Sequence, residues 1–239
     1  MISVCVATYN GEKYIEEQLA SILSQLGDDD EVIVSDDNSS DKTVELIAGL
    51  NDDRIKIYVH KTNRGTSSFA MASFNFENAI KRANGDYIFL ADQDDIWLPN
   101  KVELSLKALE KFMLVTSNFY FYRDGQILKR RFDDENPIRK TLLGNLIHLP
   151  FKGCCFAFKK KFIKYILPYP DNILAHDAWM GCVAVKQRSI GYISEPLILH
   201  RIHGDNVSYN KKRSALFKVK YRLTLLLNLY LRNQKHKNI

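Results

Sequence analysis

Four short apolar runs alternate with amphipathic stretches over the first 91 residues, and this alternation limits the fold more than any other feature of the chain. Residues 2–7, 31–35, 55–59 and 87–91 each have the length and apolar content of a buried strand. Between the first two, residues 14–25 place Ile15, Leu19, Ile22, Leu23 and the following Leu26 on one helical face. A second helix runs to about Leu50 behind a cap at Ser39, Ser40 or Asp41, and a third carries Phe69, Ala72, Phe76, Ala79, Ile80 and Ala83 at helical spacing. Strands separated by helices pair in parallel through right-handed crossovers. The expected class is therefore α/β: a Rossmann-like, mostly parallel sheet flanked by helices.

The fourth run ends abruptly in Asp92-Gln93-Asp94-Asp95. In extended backbone, residues i and i+2 share a side, so Asp92 and Asp94 face one way and Gln93 the other. Carboxylates crowded at the end of a buried strand repel one another, and a hard cation such as Mg²⁺ or Mn²⁺ relieves that cost. Ligands of open α/β sheets bind at the carboxyl ends of the strands, where these acids fall. Taken alone, a polar turn explains them as well.

The second half is less regular. It reads as a helix at 100–112, a hairpin of 115–122 and 126–130 around Asp124-Gly125, and a helix at 138–147. A strand at 152–158, a helix at 160–167 and a Pro-containing loop lead to a helix at 177–186. Strands at 190–193 and 196–201, a polar stretch at 204–214 and a final helix at 214–232 follow.

Charge divides the chain unevenly. The net charge is +6, yet residues 206–239 hold nine Lys or Arg and no acid, which leaves −3 on residues 1–205. A mildly acidic body with a basic tail fits an anionic surface for the tail and argues against a nucleic-acid binder. The four cysteines form no Cys-x-x-Cys pair, so zinc is not expected and free thiols in a reducing cytoplasm are. The chain enters a strand at once and shows no signal peptide, and no apolar run reaches the ~18 residues of a membrane span.

Several polar side chains follow the strands. Thr8 and Tyr9 leave the first strand, and Tyr9 offers a stacking face for a base or a packing face for the next helix. Asp37 follows the second and could accept from a pyrimidine N3–H or cap a helix, a task Asp36 could also take. Val-Cys-Val-Ala-Thr-Tyr-Asn-Gly at 4–11, Val-Ser-Asp-Asp-Asn-Ser-Ser-Asp-Lys-Thr at 34–43, Asn-Arg-Gly at 63–65 and Ala-Asp-Gln-Asp-Asp at 91–95 together resemble the family 2 glycosyltransferases. The resemblance spans residues 2 to about 209. The string 92–101, with the later His176-Asp177-Ala178-Trp179, is most similar to the bacterial rhamnosyltransferases of that family.

The resemblance implies a GT-A fold, a DxD motif and an inverting, metal-dependent transfer. A sugar, rhamnose or a hexose, would pass from a dTDP- or UDP-sugar to a growing lipopolysaccharide, capsule or exopolysaccharide acceptor. Position by position it assigns Thr8, Tyr9, Asp37, Arg64 and Asp92 to the donor nucleotide, and Asp94 with His203 to Mn²⁺ or Mg²⁺. Asp95 would be a supporting acid, Asp177 the catalytic base, and Gly153 and Trp179 would lie on the acceptor side, Gly153 by letting substrate approach the backbone. The expected organisation is a domain at 1–209, with a nucleotide-sugar half at 1–98 and an acceptor half at 99–209, and a basic tail at 210–239. The tail's Leu216, Val219, Leu223, Leu226, Leu227 and Tyr230 recur at helical spacing, which suits a helix packed on the body, a dimer contact or an interfacial helix on anionic lipid. A lipid-linked acceptor and a cytoplasmic enzyme peripheral to the inner membrane face are the matching expectations. Rival readings are a sugar-1-phosphate nucleotidyltransferase and a catalytically silent nucleotide-binding subunit.

Overall fold

The computed structural model describes residues 1–61, 64, 67–131, 136–204 and 214–237. The Asn-Arg-Gly turn, apart from Arg64, and all but Gly204 and Ser214 of the polar stretch at 204–214 lie outside the described residues.

The first half follows the alternation. Strands β1 (Ile2–Thr8), β2 (Glu31–Asp36), β3 (Ile55–Val59) and β4 (Tyr87–Asp92) alternate with helices α1 (Ile15–Leu23), α2 (Thr43–Gly49) and α3 (Ser68–Ile80). They pair in parallel in the order β3-β2-β1-β4. The register fixes which side chains share a face. Val4, Val6, Val32, Val34, Phe89 and Ala91 join Ile15, Leu19 and Ile22 of α1 in one core, whereas Cys5, Ile33, Ile88 and Leu90 join Phe76 and Ile80 of α3 in the other. β1, β2 and β4 are thus buried on both faces, which is why each reads as a continuous apolar run, whereas the edge strand β3 is half-exposed. The Ser67 hydroxyl accepts from Ala70 N and starts α3.

The second half adds β5 (Ile96–Trp97), α4 (Lys101–Leu109), β6 (Leu114–Arg123), β7 (Gln126–Arg130), α5 (Leu142–His148), β8 (Phe156–Lys159), α6 (Ile163–Ile166), α7 (His176–Lys186), β9 (Ile190–Arg201) and α8 (Ala215–Lys237). The sheet continues β4-β8-β6-β9-β5, with β7 paired to β6. Only the β6–β9 pairing is parallel here.

Four expectations for this half are corrected. Residues 190–201 form one strand, because the ladder absorbs Ser194-Glu195-Pro196 as a register shift between Ser117 and Asn118. A 3₁₀ turn at 153–155 delays β8 to Phe156. Thr141, whose hydroxyl accepts from Gly144 N, starts α5 later than 138. The two-residue β5, hidden inside the acidic string, pairs with β9. All four cysteines are free and buried. Among the described residues, no helix is long and apolar enough to cross a membrane.

Candidate active site

Every strand of the parallel half points its C-terminal end to one rim, and the loops there are laced together. Asn10 N donates to Ser39 Oγ (2.8 Å), Gly11 N to Thr43 Oγ1 (2.7 Å), and Ser40 N returns to Asn10 Oδ1 (2.9 Å). Asp36 is fully buried and accepts from Thr8 Oγ1 (2.7 Å), Ser39 N (2.7 Å) and Ser39 Oγ (2.6 Å). It is the turn-forming acid, and Asp37 beside it is nearly buried. Thr8, expected at the nucleotide, is buried and spends its hydroxyl on Asp36. Tyr9 is 58% exposed, so it does not pack on α1. Gln93 clasps its peptide: Tyr9 N donates to Gln93 Oε1 (2.7 Å) and Gln93 Nε2 donates to Tyr9 O (3.0 Å). A Cβ at Gly11 would lie 2.6 Å from Gln93 Oε1, so glycine makes room for that clasp.

Arg64 does not reach this rim. Its guanidinium lies 4.0 Å over the Phe74 ring and donates to Glu77 Oε2 (2.7 Å) and Asp171 Oδ1 (2.8 Å), joining α3 to the loop before α7. The expected nucleotide contact is corrected to a bridge between the two halves of the molecule.

The acidic turn sits where β4 ends beside Ala7 of β1. Asp92, Asp94 and Asp95 bring carboxylate oxygens within 4.8 Å of one another. Residues from the end of β9 close on them from the other side. His203 Nε2 lies 2.7 Å from Asp94 Oδ2, although 109 residues separate the two. His200 Nδ1 lies 2.7 Å from Asp95 Oδ1, Arg201 N donates to the same oxygen (3.2 Å), and Arg201 Nε donates to Asp94 O (2.9 Å). Tyr14 stacks on His203 with ring centroids 4.7 Å apart. Burial, then the charges of Asp95 and Asp94, push the Asp92 carboxyl well above the usual range. Burial works the same way on Asp95, but the charge and hydrogen bond of His200 outweigh it and hold that carboxyl low. Crowded oxygens with one uncompensated acid, and an imidazole against Asp94, fit a hard divalent cation. Asp94 and His203, expected as ligands, are brought together here.

The residues expected on the acceptor side gather at the start of α7. His176 N donates to Ser73 Oγ (2.9 Å), and its ring stacks on Phe76 at 4.4 Å. A Cβ on Gly153 would fall 2.2 Å from His176 Nε2. Gly153 therefore admits the imidazole, and the expected close approach of substrate to its backbone is corrected. Burial lowers the His176 pKa to about 4, so the ring is neutral at physiological pH. Asp177, in the first turn of α7, is partly exposed, and its Oδ1 accepts from Ala178 N (2.6 Å). Trp179 is fully buried, donates Nε1–H to Ile166 O (3.0 Å) and lies under Arg232, so it is a core residue rather than an acceptor contact.

Two side chains of the site carry no sequence signal of their own. Gln93 is one. The other is Lys152, half-buried before the 3₁₀ turn. Burial would lower its pKa, yet Cys154, Asp92, Asp95 and Asp177 together raise it. One ammonium thus lies in the field of both the acidic turn and Asp177.

The model of glycosyl transferase family 2 matches residues 3–167. The chain is 31% identical over 247 residues to the dTDP-rhamnosyl transferase RfbG of Shigella flexneri, covering 96% of this chain and 81% of that one. It is 27% identical over 223 residues to the GalNAc(5)-diNAcBac-PP-undecaprenol beta-1,3-glucosyltransferase of Campylobacter jejuni, covering 90% and 69%. Other relatives are longer: the chain spans 31% of a Rickettsia bellii glycosyltransferase. Among solved structures, S. aureus TarS in complex with UDP-GlcNAc superposes with a TM-score of 0.69 at 19% identity, over 98% of this chain and 69% of that one. Glucosyl-3-phosphoglycerate synthase from Mycobacterium tuberculosis, in complex with Mn²⁺, UDP and glucosyl-3-phosphoglycerate, gives 0.61 at 17% identity, over 97% and 79%. A family model spanning well over half of the chain, on a sheet shared with GT-A enzymes, places this protein in glycosyl transferase family 2 as a glycosyltransferase.

Proposed function

We propose that this glycosyltransferase inverts the anomeric centre of a dTDP- or UDP-activated sugar as it moves that sugar to a lipid-linked glycan precursor. The observation that carries the reading is the closure of His203 on Asp94 (2.7 Å) beside Asp92 and Asp95, a seat for a divalent cation at the strand ends. Tyr9 and Asp37 are the residues to hold the base. Asp94 and His203, with Asp92 beside them, would hold Mn²⁺ or Mg²⁺; the Mn²⁺ in the Mycobacterium tuberculosis neighbour supports this. When bound, such a cation stabilises charge on the departing diphosphate.

Asp177 takes the proton from the acceptor hydroxyl while its oxygen attacks the anomeric carbon from the face opposite the diphosphate, which inverts the configuration. Asp177 is suited to this because it is partly exposed, only its Oδ1 is given to Ala178 N, and its charge is felt at Lys152 together with those of Asp92 and Asp95. His176, neutral and packed on Phe76, orients the helix start that carries it. The named activity of the Shigella flexneri relative supports rhamnose, and that of the Campylobacter jejuni relative supports a hexose and an undecaprenyl diphosphate acceptor. Such an acceptor places the work at the cytoplasmic face of the membrane.

A screen of nucleotide sugars tests the reading. Nucleoside diphosphate release is expected with one dTDP- or UDP-sugar when a membrane lipid extract supplies the acceptor. EDTA should abolish release, and Mn²⁺ or Mg²⁺ should restore it. Turnover indifferent to EDTA, or an α-linked product from an α-linked donor, overturns the metal or the inversion respectively.

A further inference from the structure

Helix α8 is apolar on two opposite sides. Leu225 and Leu229 are 4% and 2% exposed and dock it on the body. Residues two apart on a helix point about 200° apart, so Leu223 and Leu227 face away from that contact. They form, with Leu216, Val219 and Tyr230, a stripe whose members are 54% to 79% exposed. The docking is tight, so α8 has no slack to turn this stripe inward: Arg222 Nε donates to Leu146 O (2.7 Å), Arg222 Nη2 to Ile147 O (2.8 Å), Arg232 Nη1 to Leu167 O (2.7 Å) and Lys186 Nζ to Leu229 O (2.8 Å). The Arg222 bonds also fasten the C-terminal end of α5 beside the stripe. There α5 exposes Leu143 (64%) and Ile147 (55%) of its own. Solvated helices carry one apolar stripe, and a second one implies a second apolar neighbour.

Charge chooses that neighbour. Lys220 borders the α8 stripe, and Arg139 and Lys140 lie exposed just before α5. Residues 206–239 carry nine Lys or Arg and no acid. A second copy of the chain docked face to face would oppose two such cationic segments, with no carboxylate from either to separate them. An apolar surface with negative charge at its edge matches the pattern, and a bilayer of anionic phospholipid is such a surface. We infer that the exposed faces of α5 and α8 form one surface that seats on anionic membrane lipid. The chain leaving α5 runs through Phe151 to Lys152 and Gly153, beside the His176 that precedes Asp177 at the proposed acceptor side. The enzyme so seated presents that side to headgroups in the bilayer, so a lipid-linked precursor reaches Asp177 without leaving it. That last step rests on the proposed acceptor; the membrane contact does not.

Vesicle flotation of the full chain, without donor or acceptor, tests the contact. The protein is expected to float with phosphatidylcholine vesicles containing phosphatidylglycerol and to stay behind with pure phosphatidylcholine. Leu223→Glu/Leu227→Glu should weaken partitioning by at least about tenfold, and Leu143→Glu by less, because each places a charge in the apolar layer. Lys140→Glu/Lys220→Glu should weaken it in low salt and less so in high salt, where screening already removes the attraction. All these side chains are exposed, so circular dichroism and donor binding should match the wild type. No flotation with anionic vesicles, equal flotation with both kinds, or a dimer that Leu223→Glu/Leu227→Glu dissociates in the ultracentrifuge would each overturn the inference. A protein that floats as described yet turns over no nucleotide sugar would instead overturn the proposed transfer.

Discussion

The two halves of the molecule are held by different means. In the half proposed to take the donor, residues 1–98, side chains of one loop bond the backbone of the next, as with Asn10 and Ser39, Gly11 and Thr43, and Lys42 N with Glu12 Oε2 (3.0 Å). In the half proposed to take the acceptor, residues 99–209, long side chains reach helix-end carbonyls, as with Trp179 to Ile166 O and Arg222 of α8 to Leu146 O, over an aromatic core of Phe151, Phe156, Phe158 and Phe162. Short loop-to-loop bonds fix backbone positions, which suits a nucleotide whose shape varies little. Packing around large side chains tolerates changes of volume better than loss of a buried polar partner, which suits an acceptor that differs between enzymes.

The sharpest break of this contrast separates binding from transfer. Asp177→Asn should lower turnover by about 10²–10⁴-fold and leave donor affinity within about twofold, the range expected for a general base. Asp94→Ala should lose turnover and metal-dependent donor affinity together. Calorimetric titration of donor beside steady-state kinetics distinguishes the two, and equal effects of both variants on donor affinity would erase the distinction between the halves.

Next in size is the stability of the donor half. Glu31 ties β1, β3 and the turn before β4 through Ser3 Oγ (2.6 Å), Lys56 Nζ (2.7 Å) and Asn84 N (2.7 Å). Burial opposes its charge, but these bonds win and lower its pKa from 4.5 to about 2. A carboxyl with a depressed folded pKa stabilises above its unfolded pKa, and the benefit drains as pH falls from 4.5 toward 2. About 3 kcal/mol should be lost over that window, at 1.36 kcal/mol per unit. Urea melts of Glu31→Gln should show a flatter acid limb than the wild type.

Smaller effects probe the acceptor half. Gly153→Ala forces a Cβ into His176 and should tilt the start of α7, lowering kcat by about 10–10²-fold at unchanged donor affinity. Ser73→Ala, which removes the other constraint on His176, makes a milder companion. Trp179→Phe should cost about 2 kcal/mol of stability through lost volume and the loss of one of the two donors to the Ile166 carbonyl, with KM for both substrates unmoved. A raised acceptor KM would return Trp179 to the acceptor surface.

The donor half was legible because parallel strands buried on both faces leave continuous apolar runs, and because turn acids follow them. Asp92, Asp94 and His203 were legible only as a spaced pattern; that β9 folds His203 onto Asp94 is a fact of the sheet order. Thr8, Trp179, Gly153 and Arg64 each have an intramolecular partner that the sequence did not reveal. Motif spacing locates a residue near a site, but its partner decides whether it faces inward, and Asp36, Ile166, His176 and Glu77 are such partners. Lys152 left no trace, since a lysine before a glycine reads as surface until the opposing acids are placed.

The amide of Gln93 grips both polar atoms of the Tyr9 peptide from within the acidic turn. The loop suited to choosing the nucleobase and the turn suited to seating the cation are consequently a single mechanical part. Redesigning the first loop to accept a different activated sugar would drag the cation seat with it. Donor preference in this enzyme should therefore resist piecemeal engineering, and a successful swap should require the loop and the turn to be exchanged as one cassette.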